Sequence, residues 1–220
     1  MSRNYTFALG EYYHIYSRGF EKSVVFKTKE DFHRFQSSLF LFNSTKSVHI
    51  TNLTTLKDYK GSIANIYTIE REDTLVDIGC YALLNNHFHL LVREKDEDGK
   101  GISKFMQKLM TSYTMYFNKK YDRTGSLFSS SFKARHVSSD EHLKYLFAYI
   151  HLNPIKFTGK KNLKNYKYSS YMDYLGVERP ERAIISPEVF PDYFSFENLK
   201  ERNIEKWLDE SEDLFLKKDI

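Results

Sequence analysis

The amino-acid sequence predicts an α+β sandwich in which an antiparallel sheet carries helices on one face. Two observations lead to it. Runs with two-residue alternation are interleaved with runs of helical periodicity, in the order strand–helix–strand–strand–helix–strand. A hydrophobic share of 41%, with 16% aromatics, supplies one sizeable core for 220 residues. The single cysteine, Cys80, excludes an intrachain disulfide framework, so burial has to hold the fold together.

EYYHIYSRG (11–19) alternates and ends in a turn glycine, which suits a first strand. Thr28 followed by Asp31 resembles a capping box for a helix to about Asn43. Phe32, Phe35, Leu39 and Phe42 recur along it at helical spacing. Residues 44–62 are rich in Ser, Thr, Asn and Lys, and read as a loop or small insertion, extending at most over 44–74. VDIGCYALL (76–84) and HFHLLVR (87–93) are strand-like, and Asn85-Asn86 between them, tolerant of positive φ, suit a tight hairpin turn. A helix follows from about Ser103 to Lys120, with Ile102, Phe105, Met106, Leu109, Tyr113, Tyr116 and Phe117 as its apolar stripe. Gly125 breaks the next turn and SFKARHV (131–137) reads as the last strand. Ser138 with Glu141 suggests a capped helix that stops before Pro154.

This order is that of a ferredoxin-like sandwich. The added helix would lay Tyr149 against the sheet. A catalytic domain is expected over 1–165 and an acidic helical extension over 166–220. The final helix (197–217) would pack through Trp207, Leu208, Phe215 and Leu216.

Mean hydropathy of −0.56 and the lack of a long apolar run exclude a membrane-spanning helix. MSRNYTFALG offers no apolar stretch for a secretory leader, and with one cysteine a cytoplasmic location is expected. The net charge of +4 conceals a marked asymmetry. Residues 1–99 carry 12 Lys and Arg against 13 Asp and Glu, residues 100–168 carry 14 against 3, and residues 169–220 carry 7 against 13. A basic window interleaved with Phe and Tyr is the footprint of a polyanion partner. The acidic tail serves solubility or shields that window.

Within NNHFHLLV, a period of two sends His87 and His89 to one face of a strand, where both can grip one cation. In AYIHLNPIK, Tyr149 and Asn153 lie one helical turn apart and share a face. Imidazole and amide oxygen, with positions left open for substrate, suit Mg²⁺ or Mn²⁺. A tyrosine beside such an ion can attack phosphorus, leaving a phosphotyrosine and expelling a deoxyribose hydroxyl. The bond energy is retained, so a second strand end can be joined by the reverse step. Spacing does not single out the nucleophile, because Tyr113 and Tyr116 on the basic helix are alternatives. Candidate phosphate contacts are Arg18, Lys104, Lys108, Lys119, Lys120, Arg123, Lys133, Arg135 and Lys156, of which Arg135 and Lys156 lie nearest the suspected site in sequence.

From about residue 11 to 172 the chain resembles the REP-associated tyrosine transposases, a branch of the single-tyrosine HUH superfamily (IS200-like transposases). YYHIYSRGFEKSVVF is similar to the family's opening strand and arginine-glycine turn, and YALLNNHFHLLV to its histidine–hydrophobic–histidine block. RTGSLFSSSFKA resembles the segment after its long helix, YIHLNPIK the tyrosine-bearing helix, and YKYSSY the stretch that follows. The resemblance implies Tyr149 as nucleophile, in preference to Tyr113 and Tyr116, with His87, His89 and Asn153 as metal ligands. It also implies cleavage and rejoining of single-stranded DNA, often a hairpin or palindromic repeat, through a 5′-phosphotyrosine, by a monomer or homodimer. Two positions depart from the pattern. Asn85 stands where proline is usual, and Ser131 where arginine is common. The alternatives are a domesticated DNA- or RNA-binding regulator without the reaction and a replication-initiator or relaxase-like nickase.

Overall fold

The computed structural model describes residues 6–46 and 63–195, together with positions 198, 204 and 206. Most of the expected insertion and nearly all of the expected final helix, Trp207 included, lie outside the described residues. Four strands and three longer helices form the frame: β1 (Tyr12–Arg18), α1 (Lys29–Phe42), β2 (Val76–Leu84), β3 (His87–Glu94), α2 (Gly101–Lys120), β4 (Lys133–His136) and α3 (Asp140–Leu152). The sheet order is β2-β3-β1-β4, and every pair is antiparallel. That is the ferredoxin-like arrangement the element order predicts.

Alternation along β3 decides what each face receives. Phe88 points to one side, where it meets Phe35 of α1 at 5.0 Å between ring centroids. Phe35 in turn packs on Tyr113 of α2 at 4.9 Å. His89 points to the other side, where Tyr149 of α3 sits 5.6 Å from it. The sheet is therefore covered by α1 and α2 on one face and by α3 on the other. The core includes Phe35, Phe88, Phe105, Tyr113, Leu146 and Phe147, all fully buried.

Two local expectations change. The β2–β3 turn uses no positive φ at Asn85 or Asn86; among the described residues, the left-handed non-glycine positions are Glu21, Lys22 and Asp122. The turn is held from outside: Asn85 O accepts from the Val25 and Phe26 amides, and Asn86 O from Gly19 N–H at 2.8 Å. The strained backbone falls instead in the 19–26 loop that clasps the hairpin. The cap of α3 is Ser139 rather than Ser138, its hydroxyl accepting from His142 N–H at 3.2 Å. α3 stops at Leu152, before Pro154 as expected, yet Asn153 keeps helical dihedrals and Pro154 caps a further short helix, α4 (Ile155–Thr158). The capping box of α1 forms as expected, with Asp31 accepting from Thr28 N–H at 3.0 Å.

The segment after α4 returns to the outer side of β2. Leu83 N–H donates to Tyr168 O, Ser170 N–H to Tyr81 O and Ser186 N–H to Ile78 O. Gly79 is needed there, since a Cβ at that position would stand 2.5 Å from the Phe190 ring. A buried ion pair ties the segment down: Arg179 Nη2 contacts Asp173 Oδ2 at 2.6 Å, with the Asp173 side chain fully buried. Asp173→Ala would strand the guanidinium without its counter-charge, so a loss of ~3–5 kcal/mol in urea unfolding is expected.

His151, also fully buried, contacts Ser170 Oγ through Nε2 at 2.8 Å and leaves Nδ1 without a partner. Burial pushes its pKa from 6.5 down to about 3. The unfolded chain therefore binds one more proton between those values. This contribution to stability is complete above pH 6.5 and declines as pH falls toward 3, at ~1.4 kcal/mol per pH unit. Urea titrations at pH 7 and pH 5 should show that decline, and His151→Gln should shrink it by about one proton.

Among the described residues, no helix is long and apolar enough to cross a membrane.

Candidate active site

On the face covered by α3, β1 and β3 stand in register with Tyr16 opposite His89 and Arg18 opposite His87. Lys133 of β4 lies opposite Tyr16. Because opposed residues share a face, these side chains converge. Tyr149 and Asn153 approach from above, one turn apart, with Asn153 N–H on Tyr149 O at 3.0 Å. Together they line a cavity of about 540 Å³ whose wall includes Tyr16, Arg18, His87, His89, Lys133, Tyr149, Asn153, Lys156 and Phe157. Lys22, Asn86, Ser129 and Ser130 complete much of the rim. Four cations and no carboxylate line it among the described residues, so its potential is positive.

The two site histidines are each held from behind. His89 Nδ1 lies 2.8 Å from His14 Nε2, and His89 Nε2 is buried with no partner. His87 Nδ1 donates to Asn86 Oδ1 at 2.6 Å, which leaves the lone pair on Nε2. One ring nitrogen tied to a neighbour and the other left for a ligand is the usual dress of a metal-binding imidazole. Burial lowers the His87 pKa to about 4, with Arg18 and Lys156 adding to the effect, and burial sends His89 well below its ordinary value. Both rings are therefore neutral at pH 7, the state in which imidazole binds a metal. Among the described residues no three His, Cys, Asp or Glu cluster as a metal site. The donors on hand are two imidazoles and the buried amide of Asn153, and the orphaned Nε2 of His89 fits a divalent ion.

Tyr149 is half-buried between His89, His14 at 6.3 Å and Tyr145 at 5.9 Å. Burial raises its pKa, opposed by a hydrogen bond from the Asn153 side chain and by the Arg18 charge. The resting phenol is neutral, and the two groups that favour its anion are both part of the site.

The alternatives Tyr113 and Tyr116 lie on the other side of the sheet. Tyr113 donates to Val25 O at 2.6 Å and Tyr116 to Asp31 Oδ1 at 3.0 Å. The cations of α2, and Arg123 just beyond it, line no part of this cavity, unlike Arg18, Lys133 and Lys156. Lys104 pairs with Asp96 at 2.6 Å, Lys108 donates to Ser44 O, and Lys120 pairs with the buried Asp31 at 2.6 Å. Arg123 bonds Asn118, and Lys119 is exposed. A count of charge along the chain does not report which layer a helix joins. Arg135, opposite His14 on β4, lies on the site's face but outside the cavity wall.

Sequence reasoning overlooked His14, Asn86 and Lys22. His14 carried a usable signal, since it alternates with Tyr16 and Arg18, but its meeting with His89 depends on the β1–β3 register. Ser131 lines a neighbouring cavity of about 910 Å³ between α2 and the 126–132 loop, which shares Ser130 with the site.

A search of curated proteins found no match. Among solved structures, the fold is similar to that of a REP-associated tyrosine transposase bound to a REP hairpin, with a TM-score of 0.50 and 12% identity over 82% of this chain and 89% of that one. The family profile described as transposase IS200-like matches residues 12–153, from the first residue of β1 to the amide at the end of the tyrosine helix. That stretch is well over half of the sequence and holds Tyr149, both histidines and Asn153; the chain belongs to the IS200-like transposase family.

Proposed function

We propose that this protein is a metal-dependent single-stranded DNA transesterase that cleaves and rejoins hairpin or repeat-associated DNA through a 5′-phosphotyrosine intermediate. The observation that carries the reading is the convergence of Tyr149, His87, His89 and Asn153 on one cavity ringed by Arg18, Lys22, Lys133 and Lys156. A phosphodiester is the substrate that a nucleophilic phenol, three neutral donors and four cations accommodate together. The similar fold seen with a REP hairpin supports DNA of that kind as the partner.

His87, His89 and the Asn153 side chain would hold Mg²⁺ or Mn²⁺, which when bound supplies Lewis-acid polarisation of a phosphate oxygen. Arg18 and Lys156 draw in the backbone and, with Lys133, offset its charge. Tyr149 Oη forms a bond to phosphorus as the P–O3′ bond breaks; the phenolic proton passes to solvent and the departing 3′ oxygen takes one up. The 5′ end is left on the tyrosine, and attack by a second 3′ hydroxyl reverses the exchange. Asn153 and Arg18 serve twice, since both also favour the phenolate.

The test is incubation of the full chain with hairpin-bearing single-stranded DNA and Mn²⁺, followed by denaturing electrophoresis. A protein–DNA adduct that survives denaturant and disappears with chelator is expected. Binding that ignores chelator, with no adduct on any palindromic repeat, would leave the non-catalytic regulator in its place.

A further inference from the structure

Phe157 stands at the rim of the catalytic cavity in α4, four residues beyond Asn153, its N–H bonded to Pro154 O at 2.9 Å. It is 57% exposed. Single exposed apolar residues are ordinary on protein surfaces. The setting of this one is not, because it borders a cavity lined by Arg18, Lys22, Lys133 and Lys156. The other cavity rings are already engaged. Tyr16 stacks on His14 at 4.7 Å with Lys133 Nζ 5.8 Å over it, and Tyr149 lies between His89 and Tyr145. Among the described residues Phe157 makes no ring or cation contact. It alone among the described residues offers this cavity an open aromatic face.

A ligand that answers both the open ring and the surrounding positive charge must be flat, apolar on its faces and tethered to an anion. An unpaired nucleotide has that chemistry. A base pair does not, since its faces are already covered by its neighbours in the stack. We propose that Phe157 is a stacking platform for one unpaired base of the DNA, with the neighbouring phosphate held by Arg18 and Lys156. The proposal rests on the DNA reading of the site and deepens it by naming the subsite. Phenylalanine has no polar atom with which to read a base edge, so the subsite tolerates all four bases and selects for an unpaired one.

The test uses a fluorescently labelled hairpin with a single-stranded extension, in which each extension nucleotide is replaced in turn by an abasic site. Its dissociation constants are measured with the full wild-type chain and with Phe157→Ala and Phe157→Trp. The side chain is exposed, so circular dichroism of both variants should match wild type. With the intact extension, Phe157→Ala should weaken binding about tenfold and Phe157→Trp should restore it. One abasic position should weaken wild type by a similar factor and add nothing in Phe157→Ala. Wild type that binds and forms the adduct, with Phe157→Ala indistinguishable from it or with no coupled abasic position, would overturn the platform alone. Wild type that neither binds the extension nor forms an adduct would overturn the DNA reading and the platform together.

Discussion

Tyr149→Phe should eliminate the denaturant-resistant adduct while leaving the fold and DNA affinity near wild type. Only the hydroxyl is lost, and the ring keeps its contacts with His89, His14 and Tyr145. Removing the attacking oxygen should reduce strand cleavage by at least about 10⁴-fold, the order expected for loss of an enzymic nucleophile. Tyr113 and Tyr116 cannot take over, because their hydroxyls are committed to Val25 O and Asp31 behind the sheet. End-labelled DNA on a denaturing gel gives the measurement. An adduct of wild-type yield from the variant would move the nucleophile elsewhere and remove the central assignment.

His89→Ala should abolish measurable Mn²⁺ binding by the DNA-free protein, followed by electron paramagnetic resonance or calorimetry. Its Nε2 is a buried nitrogen of the cavity wall that has no partner among the described residues. His14→Ala should weaken the same binding by ~10–100-fold, the usual cost of losing a residue that orients a ligating imidazole. His14 acts through Nδ1 of His89, 2.8 Å away, and lines no part of the cavity wall. Since the His87 pKa is lowered to about 4, proton competition at that ring begins only as pH approaches that value from above. Mn²⁺ affinity unchanged in His89→Ala would rule that ring out as a ligand.

Much of the frame was legible in the sequence because its signals are local. The two-residue period of HFHLLVR and the apolar stripe of Ile102, Phe105, Met106, Leu109 and Tyr113 each need only near neighbours to be read. The same holds for His87 with His89 and for Tyr149 with Asn153, whose shared faces follow from strand and helix geometry alone. What was hidden depends on pairing between distant segments. The His14–His89 contact joins residues 75 apart, and Asn86 orients His87 only because the 19–26 loop holds its turn in place. The ion pair of Lys120 with Asp31 is of the same kind, since it forms only where α2 packs against α1. The shift from Ser138 to Ser139 is of another kind: adjacent serines are equally good caps, and the choice between them belongs to the packing of α3.

The two flanks of the sheet have different fates. One is sealed by the returning chain through Tyr168, Ser170 and Ser186, so lateral accretion of another strand is confined to the β4 side. That flank is four residues long, and Lys133 and Arg135 make up two of them. A short margin with two fixed cations would repel a second copy's identical margin, as protected sheet edges do, while Lys133 on the same strand looks into the cavity. On the proposed reading a single tetrapeptide would serve both as gatekeeper against aggregation and as lure for a polyanion, and neutralising it to improve one property would erode the other.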